Sequence, residues 1–485
     1  MTTTRQQMKR LFYGLSLLVT AGTALGNNIA VTNLSLVTVA TDTVDVQFNV
    51  SWDHSWRSVW TEAAAANVSG TDLTLENWDA AWVFFKWRTD NVWKHATLST
   101  NGYTAPEGTS VKISPDGLGA LIYRSAVGSG TFQSTVKLRW KRVADGAGSL
   151  IDLSAHAIEM VYVPQGAFKV GSGSIKEEAS FTDGSWTGGA GIPFLIAGED
   201  ALTVTNAAGY LWSTSSSITT STNGGYGTLS SAYPKGYQAF YCMKYEITQG
   251  QYTAFLNQLT LQQATERYSA SNAGVNRYTI TGTHPNFTAS SPNRANNHMS
   301  WADGLHYVTW AGLRPMTELE FEKVCRGPLH PIPGEYAWGD ASITQITALN
   351  NDGTENETPS SETANCAYKS GVDGPVRAGA CARASSGRHD AGASYWGIME
   401  LSGNLWERVV TVGNTYGRSF TNVHGTGTWD FPTGWPTVAS GYGVRGCAWN
   451  SIQDFYLNTS DRSYASVENN NRSVSYGWRG VRTAP

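Results

Sequence analysis

Between residues 27 and 152 apolar and polar positions alternate with a period of two. Val44, Val46, Phe48, Val50 and Trp52 fall on one side of such a run, as do Val136, Leu138 and Trp140, which is the pattern of half-buried strands. Asn101-Gly102, Pro115-Asp116-Gly117 and Gly128-Ser129-Gly130 separate the runs as turns. The spacing predicts an all-β sandwich of the immunoglobulin or fibronectin kind over residues 27–152. Its Trp78, Trp82 and Trp87 suit either core packing or a flat platform for sugars. From Glu159 the texture changes to a strand, a turn at Pro164-Gln165-Gly166 and another strand. A Gly/Ser/Thr-rich insertion, residues 172–236, follows; such composition predicts surface loops or an irregular β excursion.

Helical spacing then takes over at three places, each behind a capping signature. Thr248 with Gln251 precedes Tyr252, Phe255, Leu256 and Leu259; Ser300 with Asp303 precedes Leu305 and Val308; Thr317 with Glu320 opens a segment that Gly327 ends. Glu318, Glu320 and Glu322 crowd that last segment, where they suit a cap and a solvated face better than an acid/base pair. A few short helices among many strands and loops make this half α+β.

Lys9-Arg10, the apolar run Leu11–Thr20 and the small residues before Asn27 predict a secretory signal peptide, residues 1–26. No other segment is apolar for the roughly 18 residues of a membrane span. The expected location is therefore secreted, cell-surface or periplasmic. A net charge of −4 gives no reason to expect nucleic acid as a partner. Nineteen Trp, 22 Tyr and 51 Gly suit a loop-rich fold in which aromatic rings pin irregular backbone. Five cysteines, none in a C-x-x-C pair, argue against a thiol redox motif or a zinc knuckle. Cys366 and Cys381 are the nearest pair and the preferred bridge in an exported chain.

Several stretches occur together in one order: Met160-Val161-Tyr162-Val163-Pro164-Gln165-Gly166-Ala167-Phe168, Tyr245-Glu246-Ile247-Thr248, Ser300-Trp301, Gly312-Leu313-Arg314-Pro315-Met316-Thr317-Glu318, Tyr336-Ala337-Trp338-Gly339, Gly403-Asn404-Leu405-Trp406-Glu407 and Gly477-Trp478-Arg479. Over residues 157–482 this resembles the formylglycine-generating enzyme, or sulfatase-modifying factor, family. The resemblance implies a C-type-lectin-like domain with few helices and many loops. It also implies enzymes that oxidise a sulfatase cysteine with copper held by two cysteines near the C-terminus. The matching positions here are Ser451 and Tyr456, and neither side chain is the soft thiolate that copper(I) requires. Cys447 falls on a glycine of the family's turn and suits a structural role. The related iron-dependent sulfoxide synthases draw histidine ligands from an added helical domain, and the nine histidines of this chain show no such clustering.

Calcium is the cofactor the resemblance favours. Glu400, Gly403, Leu405 and Glu407 match one structural calcium site, and Asn365, Cys366 and Asp373 resemble a second; carboxylates with carbonyls are the hard oxygens this ion prefers. Glu407 pairing with an arginine such as Arg479 is the competing expectation. The last forty residues are polar and aromatic without lysine. Asn450, Asp454, Tyr456, Asn458, Asp461, Tyr464 and Asn470 are the candidate recognition surface, since Tyr and Asn offer contact area and adaptable hydrogen bonds. The resulting expectation is a non-catalytic, exported protein that binds an extracellular protein or glycan, or assembles with itself. The alternative is a metal-dependent oxidoreductase.

Overall fold

The computed structural model describes residues 19–20, 28–38, 44–148, 151–177, 179–214, 226–466 and 470–485. The expected signal peptide lies outside them except for Val19–Thr20, which pairs in parallel with Leu153–Ser154.

The organising element is strand Leu73–Arg88, buried on both faces. Its even and odd residues feed different cores, because successive side chains of a strand point to opposite sides. Ala81, Val83, Phe85 and Trp87 join Val46, Phe48, Trp52, Leu138 and Trp140 in one cluster. Ala80, Trp82 and Phe84 join Phe255, Leu305, Val308 and Trp478 in another. A strand with two buried faces reads as an almost unbroken apolar run, and Ala80–Phe85 is one.

The same strand pairs with Arg57–Glu62 on its N-terminal stretch, with Ala120–Tyr123 on one edge, and with Asp152–Val161 along the other. Strand Asp152–Val163 pairs in turn with Phe240–Met243, and that with Gly480–Thr483. One sheet therefore runs from Ala30–Thr38, through Val44–Glu62, Leu73–Arg88, Asp152–Val163, Phe240–Met243 and Gly480–Thr483, to Arg314–Pro315. The expected sandwich over 27–152 is thus hydrogen-bonded into the sheet of the C-terminal half, and its boundary falls on a shared strand.

Side chains seal this junction. Trp82 donates to the Ala311 carbonyl at 2.8 Å. The Arg482 guanidinium lies 4.4 Å from the Trp82 ring centroid and bonds Asp116 at 2.5 Å. Lys86 donates to the carbonyls of Trp310 and Gly427 at 2.6 and 2.7 Å, and burial holds its pKa well below that of an ordinary lysine. Trp78, Trp82 and Trp87 are all buried, so they pack the core and offer no sugar platform.

Helices are few among the described residues. The predicted three form: α1, Gln249–Leu256; α3, Trp301–Trp310; and α4, Glu318–Arg326, each with the full reciprocal capping box. Gly327 ends α4 at φ +67°, where a Cβ would meet the Tyr395 ring. Two helices were not anticipated, α2, Leu261–Arg267, and the short α5, Thr415–Arg418. Thr260 and Gln263 cap α2 in the same way, but only Ala264 of the helix is buried, so it shows no apolar stripe. The 172–236 insertion is an irregular β excursion: Phe181–Asp183, Leu211–Ser213, Leu202–Val204 and Gly227–Leu229 form a small sheet. Its Phe181, Trp212 and Leu229 enter the main core.

Candidate functional site

Every residue of α4 is buried, the acidic ones included, and this corrects the expectation of a solvated face. Glu318 accepts from Arg462 at 2.6 Å and from Arg445 at 3.3 Å. Glu320 pairs with Arg314 at 2.6 Å, and Glu322 with Arg445 at 3.0 Å and Arg326 at 3.3 Å. Buried carboxylates persist only when paired and hydrogen-bonded. Two of these arginines, Arg445 and Arg462, come from distant sequence, so α4 anchors the strand Tyr442–Arg445 and the tail that follows.

That tail turns back through Gly446 and Cys447, at φ +87° and +72°. Left-handed backbone favours glycine, which agrees with Cys447 standing at a glycine place. Its thiol is free and buried, and burial pushes its pKa up to about 12. Ser451 closes the turn: the Ala448 N–H donates to its hydroxyl at 3.3 Å, and its own N–H donates to the Ala448 carbonyl at 3.1 Å. Tyr456 sits on a one-turn helix, Asp454–Leu457, against Trp406 and Tyr464 at centroid distances of 5.6 and 5.2 Å. The two phenol oxygens are 3.3 Å apart. A turn-closing hydroxyl and a packed phenol do not make a copper(I) site, so the copper pair does not fit these residues.

All five cysteines are free and buried. The preferred Cys366–Cys381 bridge is not formed; the Cys366 thiol donates instead to the Ser402 carbonyl at 3.2 Å.

Of the candidate recognition residues, Asn450, Asp454, Tyr464 and Asn470 are exposed and Tyr456 is half-buried. Asn470 accepts from the Ala302 N–H at the start of α3, at 3.1 Å. Asn458 and Asp461 are buried and drop out of the surface. They lie inside because Ser460 and Arg462, beside Asp461, are drawn in to Glu322 and Glu318; the Asp461 carboxylate is spent on Ser463. Phe455 joins the patch against Tyr456, the buried Trp406 underlies it, and Ile452 of the same segment is 72% exposed. Sequence reasoning used Trp406 only as a motif residue.

Behind the patch lies a buried acidic centre. Glu400, Gly403 and Asn404 all have positive φ, +57°, +97° and +62°, a chain path that turns the Glu400 carboxylate inward. Its Oε1 accepts from the Gly379 N–H at 2.8 Å, while Oε2 is buried without a partner. Burial pushes its pKa up to about 7. Glu407 is held by Arg479 through contacts of 2.6 and 2.9 Å, the competing expectation for that residue. Arg479 also donates to the carbonyls of Met243, Lys244 and Met399. Glu246 accepts from the Asn404 side chain and from the Leu405 N–H, and burial with Glu407 and Glu400 nearby raises its pKa far above the usual range.

These residues fit calcium in part: Glu400 Oε2 is an uncommitted hard oxygen, whereas both Glu407 oxygens are engaged. At the second expected set, Asn365 accepts from the Thr344 N–H at 2.9 Å. Asp373 is exposed and accepts from Asn276 at 2.8 Å. Among the described residues no group of three or more His, Cys, Asp or Glu could hold a metal ion by side chains alone.

Residues 152–484 match the family model described as the sulfatase-modifying factor enzyme 1-like domain. The chain belongs to this family. The matched region begins at the first residue of the shared strand, so residues 28–148 are an addition that extends the sulfatase-modifying factor sheet. A stretch of 117 residues is 31% identical to a hercynine oxygenase from Mycolicibacterium thermoresistibile, covering 24% of this chain and 20% of that protein. A stretch of 49 residues is 45% identical to a formylglycine-generating enzyme from Thermomonospora curvata, covering 10% of this chain and 16% of that protein. The chain therefore spans only a minor part of these relatives' lengths.

Proposed function

We propose that this sulfatase-modifying factor homologue is an exported, non-catalytic binding protein of C-type-lectin-like architecture. The ligand, an extracellular protein or glycan or a second copy of the chain, docks on its C-terminal aromatic patch. The observation that carries this reading is Tyr456: where the resemblance calls for a copper thiolate, a phenol is packed against Trp406 and Tyr464. Exposed Asn450, Asp454 and Asn470 of the same C-terminal segment, with these rings, supply the mixture of rigid contact area and adaptable hydrogen bonds found in recognition surfaces. A protein and glycan array probed with the full chain is the test. Tyr464→Ala, an exposed truncation, lowers binding to the captured ligand at least tenfold. Capture unchanged by this variant and by Ile452→Ala sinks the reading.

A second reading, a metal-dependent oxidoreductase, is favoured by the names of the two relatives, both enzymes. It requires about one equivalent of copper or iron in the purified protein, measured by elemental analysis, and a binding reading without chemistry predicts neither. Calcium belongs to the first reading as a structural ion, with Glu400 and the carbonyls of Gly403 and Leu405 holding it; Glu407, engaged by Arg479, falls out of the set. Asn365, Cys366 and Asp373 are the second set. Export itself is tested by N-terminal sequencing of protein from the culture medium, which is expected to start near Asn27.

A further inference from the structure

The addition of residues 28–148 walls a cleft that the family domain alone does not enclose. A cavity of about 1030 Å³ lies between Asn28, Arg88 and Trp93 on the added side and α1 with the 285–294 loop on the other. A second cavity, of about 700 Å³, shares Asn28, Asn293, Glu355 and Arg377 with the first and continues along Trp56. Through these shared residues they join into one groove, roomy enough by volume for several linked rings. No residue beyond Met399 lines either cavity, so the groove is separate from the C-terminal patch.

We propose that this groove binds an uncharged oligosaccharide. Carboxamides and hydroxyls dominate the first cavity, Asn28, Asn293, Asn351 and Asn356 carry them into the second, and each half has an indole, Trp93 and Trp56. Carboxamides and hydroxyls exchange hydrogen bonds with sugar hydroxyls, and an indole face stacks on the C–H face of a pyranose. Among the described residues most of the lining charges are already engaged, the exposed Glu355 being the exception. Glu357 is held by Arg277 at 2.6 Å and Arg294 at 3.1 Å, and Arg88 by Asp152 at 2.8 Å. Arg377 donates to the carbonyls of Glu357 and Ala378. An ionic ligand would have to displace these pairs, whereas a neutral one leaves them intact.

The walls are also set before any ligand arrives. Asn257 grips the loop from α1, donating to the Phe287 carbonyl at 2.9 Å and accepting the Phe287 N–H at 2.7 Å. The Trp93 ring is held under the Arg88 guanidinium, 4.6 Å from its centroid. Fixed walls spare a ligand the cost of ordering them.

The test is calorimetric titration of the full chain with β-1,4-linked tetrasaccharides of glucose, mannose and N-acetylglucosamine. A galacturonate tetrasaccharide and an acidic peptide serve as charged comparisons. At least one neutral tetramer is expected to bind, Trp93→Ala and Asn286→Ala each to weaken it at least tenfold with unchanged circular dichroism, and Tyr464→Ala to leave it alone. The inference is overturned if no neutral tetramer binds, if the charged probes bind in preference, or if both groove variants bind as the parent does. Loss of binding in Tyr464→Ala with both groove variants intact also overturns it, while leaving the C-terminal patch reading standing.

Discussion

Arg479 is the residue on which the buried acidic centre depends. Glu246, Glu400 and Glu407 crowd together with this guanidinium among them, and removing one member of a buried pair strands the other. Glu407→Gln is expected to cost about 3–5 kcal/mol of stability in urea denaturation. A Glu407→Leu/Arg479→Met double variant should not recover that loss, because Glu246, Glu400 and the carbonyls of Met243, Lys244 and Met399 then lose the same guanidinium. Glu400 gives a pH signature. Its carboxyl titrates near 4.5 in the unfolded chain and near 7 in the folded one, so the folded state binds the proton more tightly. This group's contribution to stability therefore falls as pH rises from about 4.5 to about 7. Melting in EDTA between pH 5 and 7.5 should show that fall as the difference between the parent and Glu400→Gln, because buried His156 and His306, held at about 3 and about 4, give both proteins an opposite slope. Glu177, also pushed up to about 7 by burial, and Glu246, raised further, add to the fall in parent and variant alike. Calcium favours the charged carboxylate; a rise in Tm on adding it above pH 7, absent in Glu400→Gln, is the expected result at this site.

At the scale of elements, α4 shows what local sequence carries and what it does not. Thr317, Glu320 and Gly327 fixed its ends in the sequence because caps act within a few residues. Thr317→Ala should cost about 1 kcal/mol, read as a shift in the urea midpoint at constant slope. The fate of Glu318, Glu320 and Glu322 was not legible. Arg445 and Arg462, the partners of Glu318 and Glu322, lie more than a hundred residues away, and nothing in three alternating glutamates distinguishes a solvated face from a buried ion network. The C-terminal tail divides for the same reason. Asn450, Asp454 and Tyr464 look outward as their composition suggested, but Asn458 and Asp461 follow Ser460 and Arg462 inward.

For the whole molecule the decisive fact is the shared sheet. Strands Leu73–Arg88 and Asp152–Val163 are paired over ten residues, and the first has a core on either face. Unfolding one side would expose the other, so calorimetry of the full chain should give one cooperative transition. Two separated transitions would show that residues 27–152 melt as an independent sandwich. Trp82→Ala, at the junction, should cost about 3–5 kcal/mol and lower that single transition without splitting it.

Sequence alone determined the period-two strands, the three capped helices and the ordered motifs that mark the family. It also determined the absence of thiols at Ser451 and Tyr456. Each of these is written in neighbouring residues or in residue identity. Tertiary structure alone decided that the added strands continue the family's sheet, that α4 is buried with its arginines, and that the five thiols stay unbridged. It likewise decided that Asn28, Trp93 and Asn293 face one groove. These are meetings between residues far apart in the chain, where burial and pairing depend on what the rest of the fold brings alongside.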